Sequence, residues 1–222
     1  MMQYLRSHEA LYIATIGIGL WVDQNGTDWA LRGEYIVDVV VWSIFAMLFH
    51  RASRTTRIEM LTVLAFATPM ELLFSEPWGL YEYREGFMPL FVPAGHWFLF
   101  DLGRRCAARL PAKWSWWLVA PFLPLSLWMA WTGVDTSGLV LLTMLLAFMR
   151  WGPEPRLYAA MVWLALAMEL WGTHLGNWAW AADVPWTPGL TAWNPPLLCG
   201  AIYALGDLLV GLTVRRFSIE DE

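Results

Sequence analysis

The chain alternates between apolar runs and short polar segments, and the runs read as eight helices: about 8–22, 34–50, 58–76, 88–103, 114–133, 138–150, 157–175 and 197–214. The runs are continuous rather than strictly alternating, which argues for α-helices over barrel strands. Several fall short of the roughly 20 residues that span a bilayer. The first and sixth are the shortest, and are expected to be tilted, extended into their flanks, or re-entrant. The others carry Trp, Tyr, Arg or Pro at their ends, as interface anchors and helix starts do. The opening stretch, MMQYLRSHEALYIATIGIGLWV, has the look of a signal peptide but lacks a small-x-small cleavage site, so an uncleaved first helix is expected.

Charge placement supports the eight-helix count. Arg6, Arg51, Arg54, Arg57, Arg104, Arg105, Arg109, Lys113, Arg150, Arg156, Arg215 and Arg216 fall on one side of it; only Arg32 and Arg84, of 14 basic residues, fall on the other. That is a strong positive-inside asymmetry, so both termini are expected in the cytoplasm. Asp23, Asp28, Glu34, Glu76, Glu82, Glu85, Asp135 and Asp183 fall on the opposite side. Composition agrees: 58% hydrophobic, 15% charged, mean hydropathy +0.45 and 17 Trp, where a soluble domain is usually nearer a quarter charged. The expectation is an all-α, multi-pass protein of the inner (cytoplasmic) membrane, one domain over 1–222 with a short cytoplasmic tail at 215–222. Nucleic acid is not an expected partner; the bilayer is, and the Trp-rich surface suits neighbouring membrane proteins. Cys106 and Cys199 make no metal or disulfide spacing.

Within this frame a pattern occurs twice. Glu71 sits late in the third apolar run and is followed by a turn carrying Trp78, Gly79, Tyr81 and Tyr83, then by a Pro-led helix through His96 and Trp97 to Asp101. Glu169 sits late in the seventh and is followed by Gly176, Asn177, Trp178 and Trp180, then by Asn194-Pro195-Pro196 and a helix through Tyr203 to Asp207. Both helix pairs run the same way, so the pattern reads as a parallel repeat of two four-helix halves, about 8–103 and 114–214. The halves have diverged, since Asp38 in the second helix has no acidic counterpart in the sixth. At 1.5 Å per residue the two Glu lie at matching depths, roughly 20 Å from the cytoplasmic face.

A carboxylate at such depth is costly enough to mark a functional site. Glu71, Glu169, Asp207 and Asp101 are the candidate catalytic acids and bases, with Asp101 also suited to a plain ion pair beside Arg104 and Arg105. Spacing of i, i+2 in an extended segment puts Tyr81 and Tyr83, and likewise Trp178 and Trp180, on one side, where they wall a cavity over each Glu. Trp78, Trp97, His96, Thr173, Asn177, Asn194 and Tyr203 complete the expected binding wall, with Thr173 at i+4 the expected neighbour of Glu169. His96 and His174 share no helix face with the acid of their own element. A metal held by Glu71, His96, Glu169 and His174 is the competing reading, but with four His and no H-x-x-H or E-x-x-H pair no metal is assigned. No nucleophile elbow or phosphate loop occurs, and no cofactor is expected.

The residues Glu71, Trp78-Gly79-Leu80-Tyr81-Glu82-Tyr83, Pro89, Pro93 and Trp97, with Trp178-Ala179-Trp180 and Asn194-Pro195-Pro196 as their companion, resemble the membrane carotenoid-biosynthesis proteins of the 1,2-hydratase type. The match covers about a third of the chain; Leu80 stands where a small or aromatic residue is expected, and the second copy has Trp for Tyr. Glu71 in an early helix and Asp207 in the last also look like the acid pair of small integral-membrane terpene cyclases, a weaker likeness. Both resemblances imply cofactor-free acid–base chemistry on an apolar isoprenoid: hydration, cyclisation or isomerisation. The alternatives are a non-catalytic subunit that holds pigment or lipid, and a small-solute or proton transporter.

Overall fold

The computed structural model describes residues 2–219, and their fold is helical. The elements are α1 (Met2–Asn25), α2 (Gly33–Arg51), α3 (Arg54–Ser75), β1 (Tyr81–Tyr83), α4 (Phe91–Arg109), α5 (Trp114–Val119), α6 (Phe122–Trp131), α7 (Gly138–Trp151), α8 (Pro155–Leu175), β2 (Trp178–Trp180) and α9 (Gly200–Ile219). Each expected apolar run is therefore helical, with three differences. The first helix is 24 residues long rather than short. The fifth is broken between α5 and α6, because Pro121 and Pro124 remove two consecutive-turn N–H donors. The last starts at Gly200, since the Pro195–Pro196 pair has no N–H to offer a first turn. Helices α2 and α3 are long and apolar enough to cross a membrane; α7 is apolar but only 14 residues long.

Four helices close a ring: α3 packs on α4, α4 on α8, α8 on α9, and α9 back on α3. These are the helices of the doubled pattern. Exchanging α2, α3 and α4 for α7, α8 and α9 maps these contacts, and those of α2 with α3 and α4, onto one another. The first helix of each half breaks that exchange: α1 lies against α4 and α8, whereas α5 lies against α8. Two apolar clusters result, one around α1–α4 with the ring and one around α5–α9.

The strands complete the ring. β1 and β2 pair antiparallel with Tyr81 opposite Trp180, Glu82 opposite Ala179 and Tyr83 opposite Trp178. This two-stranded ribbon is centred on the Glu82–Ala179 pair, so exchanging the strands reproduces the pattern. The turns that deliver it are local. Gly176, at φ 86°, caps α8 in the left-handed region, and the amides of Gly176 and Asn177 both bond the Gly172 carbonyl. That reversal lays the Trp178 indole directly on Gly172, where a Cβ would collide with it.

The outer surface is apolar. Of the 17 tryptophans, only Trp78, Trp97, Trp178 and Trp180 are not exposed, and all four belong to the doubled pattern. Trp131 is 91% and Trp151 77% exposed, while Asp23, Glu34, Asp101, Asp135, Glu169 and Asp207 are buried. Large apolar groups thus stand on the surface as well as in the two apolar clusters, and these six acids are buried among them.

Candidate functional site

Inside the ring lies a cavity of about 160 Å³, almost entirely apolar, beneath the β1–β2 ribbon. Its polar wall comes from one segment of each ring element: Glu71 from α3, His96 from α4, Glu169 from α8, Tyr203 and Asp207 from α9, with Tyr81, Tyr83, Trp178 and Trp180 from the ribbon. Thr15, Gly19, Val37 and Val41 of α1 and α2 close one side. Each Glu is held by the two aromatic residues of its own repeat. Both phenols of Tyr81 and Tyr83 donate to Glu71 Oε2, the latter at 2.7 Å. The indole N–H groups of Trp178 and Trp180 donate to Glu169 Oε2 at 2.8 and 2.9 Å. The i, i+2 spacing thus places two donors over a carboxyl group twice, with phenols in one half and indoles in the other.

The second oxygens differ. Glu71 Oε1 lies 3.0 Å from His96 Nε2, and His96 Nδ1 lies 2.9 Å from the Val92 carbonyl. A carbonyl only accepts, so Nδ1 carries hydrogen, and one further proton is shared between Nε2 and Oε1. Among the described residues no donor reaches Glu169 Oε1. Indole N–H only donates, so when Glu169 is an acid its proton belongs on Oε1, the oxygen the indoles leave free. Asp207 has no hydrogen-bond partner at all among the described residues, and its Oδ2 is buried. Three carboxyl groups of one cavity therefore stand in three bonding states.

The aromatic rings form a continuous wall. Tyr81 lies 4.7 Å from Trp180 and 5.6 Å from Tyr83, Tyr83 lies 6.2 Å from Trp178, and Tyr203 stacks on His96 at 5.8 Å. Such rings present negative faces to a cation.

Other residues expected at the site lie elsewhere. Asp101 is off the cavity: Tyr12 donates to its Oδ2 at 3.0 Å, Arg105 at 2.8 Å, and Arg104 to its Oδ1 at 3.1 Å. It joins α1 to α4 as an ion-pair centre. Trp97 follows His96 by about 100° of helix turn and packs away from the cavity, against Phe100 and under Arg104. Trp78 donates to the Pro185 carbonyl at 2.7 Å and stacks on Trp186, bracing the loop after β2. Thr173 bonds back to the Glu169 carbonyl at 2.7 Å rather than to its carboxyl, the usual local choice of a helical hydroxyl. Asn177 bonds the Leu20 carbonyl and Asp23 Oδ2, at 3.1 and 2.6 Å, tying β2 to α1. Asn194 accepts from the Trp180 amide at 3.0 Å and so fixes the second indole.

Sequence reasoning missed three features. Helix periodicity sets His96 against the acid of its own helix, whereas its partner is across the ring on α3. His174 is exposed and stacks on Trp171, so the set Glu71, His96, Glu169 and His174 does not assemble; among the described residues no His, Cys, Asp or Glu group suits a metal ion. Arg84 bonds Asp23 and Gln24, at 3.1 and 2.7 Å, and Arg32 pairs with Glu85 at 2.8 Å. Polar residues at helix ends were the available signal for that cluster. The α1 and α2 wall had no signal, because apolar residues on apolar helices look alike. No protein-family model, no curated protein and no solved structure matches this chain.

Proposed function

We propose that this chain is a multi-pass membrane enzyme that performs acid–base chemistry on an apolar isoprenoid, adding water to an alkene or moving its double bond through a carbocation. The observation that carries the reading is the cavity's three carboxyl groups in three bonding states. Glu71, with three hydrogen-bond partners, is the anionic pole and proton acceptor, with His96 sharing its proton. Glu169 is the acid, its proton directed to Oε1 by the two indoles. Asp207, unpaired in an apolar wall, fits there as a neutral acid, because an isolated ionised carboxylate is far too costly, and it restores the proton or polarises the substrate.

The reaction balances on these groups. The Glu169 carboxyl gives its proton to one alkene carbon; the π electrons form the new C–H bond and leave a tertiary cation on the other. The faces of Tyr81, Tyr83, Trp178 and Trp180 and the Glu71 charge stabilise that cation. Water then adds and loses a proton to the Glu71–His96 pair, which becomes a carboxylic acid beside an imidazolium, or an adjacent C–H loses its proton there and a shifted alkene results; passage of that proton back to the ionised Glu169 closes the cycle. The resemblance to carotenoid hydratases and small terpene cyclases supports the same chemistry.

Membrane residence is supported by α2 and α3, by the exposed Trp surface, and by the twelve-to-two division of basic residues. The two basic residues on the minority side are both paired with acids there. The reading extends to eight crossing segments with both termini in the cytoplasm, α7 being too short at about 21 Å to cross alone. The test is turnover of an acyclic polyene by membranes containing the chain, with products analysed for a gain of one water or for an isomer. Conversion that survives both Glu71→Gln and Glu169→Gln overturns the reading.

A further inference from the structure

A cavity of about 160 Å³ is small for the ligand its chemistry implies. A cavity of about 150 Å³ takes a benzene-sized molecule, so only the reacting end of a long isoprenoid fits over the acids. The rest must leave the ring, and one side of the wall is unlike the others. A second hollow of about 300 Å³ runs between α1 and α2, bordered by Ala14, Ile18, Val22, Ile36, Val40 and Ile44. It shares Thr15, Gly19, Val37 and Val41 with the acid-lined cavity, so these four residues line both and stand between the two.

The partition is thin where it matters. Gly19 has no side chain, and a Cβ there would meet only Val37 Cγ1 at 3.4 Å, ordinary van der Waals contact. The hollow's wall carries no charged side chain, and its only side-chain hydroxyl is that of Thr15. Its rim is exposed, with Ile18 at 61% and Val40 at 45%. The hollow lies where α1, which also packs on α4 and α8, meets α2.

We propose that the α1–α2 hollow binds the apolar tail of an isoprenoid whose reacting end lies in the ring cavity, and that Gly19 and Val37 mark the passage between them. The inference rests on the acid–base reading of that cavity and names its substrate class: a chain too long for the cavity, admitted sideways from surrounding lipid. A tail in this groove exchanges bilayer for protein at little cost, while the reacting end is drawn from lipid into an acid-lined site.

The probe is a C30 isoprenoid hydrocarbon with a photoactivated diazirine midway along its chain, added to the full-length protein in lipid nanodiscs and mapped by peptide mass spectrometry. Label is expected on the α1 and α2 residues of the hollow. Excess 2-methyl-2-butene, a C5 alkene of about benzene's size that fits the cavity alone, should displace it. Ala14→Trp, on an exposed position of the hollow, should cut that label at least tenfold, while Leu61→Trp, on the exposed face of α3, should leave it unchanged. Label spread over α5–α7, label in the hollow that 2-methyl-2-butene does not displace (an annular lipid site), or label indifferent to Ala14→Trp overturns the proposal. Turnover is measured in parallel. Turnover without label in the hollow overturns the passage and leaves the chemistry; label that the C5 alkene displaces, without turnover in any preparation, does the reverse.

Discussion

At the scale of single residues, the decisive contrast is between the two glutamates. Both sit late in an apolar helix, and both have two ring donors on one oxygen, yet only Glu71 has a histidine on the other. Glu71→Gln replaces the oxygen that shares a proton with His96 by an N–H₂ group that cannot accept one. Turnover of an acyclic polyene should fall about 10²- to 10⁴-fold, the usual worth of a positioned acid or base, with the protein still folded by circular dichroism. Loss of one phenol should cost less. Tyr83→Phe removes a 2.7 Å bond to a carboxyl group, worth roughly 1.5–3 kcal/mol, and should slow turnover about tenfold or more while lowering the thermal midpoint by several degrees. Gly172→Ala acts through position instead. The new methyl group collides with the Trp178 indole and should destabilise by about 1–3 kcal/mol while shifting Trp178 off Glu169. A change in the near-ultraviolet indole signal would report that shift, and an unchanged signal with unchanged midpoint would contradict it.

At the scale of elements, the fold was mostly legible and the site was half legible. Long apolar runs identify α1–α4 and α7–α9, since no other secondary structure satisfies every backbone group over such lengths. The break at Pro121 needed only the proline rule. The i, i+2 aromatics announced extended segments, but nothing in one strand's sequence says that its partner is the other copy, a hundred residues away. The Glu71–His96 contact was hidden for the same reason, because periodicity relates residues along a helix and not across a ring. Asp101 and Asp207 illustrate the limit: both are acids in Pro-led helices, and only the neighbours Tyr12, Arg104 and Arg105 separate an ion-pair centre from an unpaired acid in the cavity. The loop from Arg84 into α4 is anchored by charge. Glu85 is held below the usual carboxylate range by its hydrogen bond to Arg32, with Arg84 adding to the effect. A lowered carboxyl contributes stability above its unfolded value and loses it as the pH falls through the folded one. The anchor should therefore persist at neutral pH and loosen below about pH 4. Amide exchange of Arg84–Phe87, corrected for intrinsic rate, should accelerate over that window in the native protein and respond less to pH there in Arg32→Ala, where Arg84 alone holds Glu85.

At the scale of the molecule, the exposed tryptophans and the sorted charges argue for one orientation. Helix ends that carry Arg57, Arg104, Arg105 and Arg109 gather at the end of the ring where Glu9, Tyr12 and Glu59 meet them. Asp23, Gln24, Arg32, Arg84 and Asn177 gather at the other. Lys and Arg decide which end stays in the cytoplasm, so the Arg104 end should face inward and the β1–β2 ribbon should lie near the outer face. The two native thiols, Cys106 and Cys199, are replaced by Ser, and single cysteines are then placed at Lys113, in the link after α4, and at Gly86, in the loop after β1. A membrane-impermeant maleimide should label Gly86→Cys in intact cells and Lys113→Cys only after permeabilisation. The reverse pattern would invert the topology, and equal labelling of both in intact cells would remove the bilayer from the account. The orientation bears on the chemistry as well. Glu71 and Glu169 would then stand in the outer half of the membrane and Asp207 nearer its middle, so that water reaches the cavity from the ribbon side while the substrate arrives from the lipid.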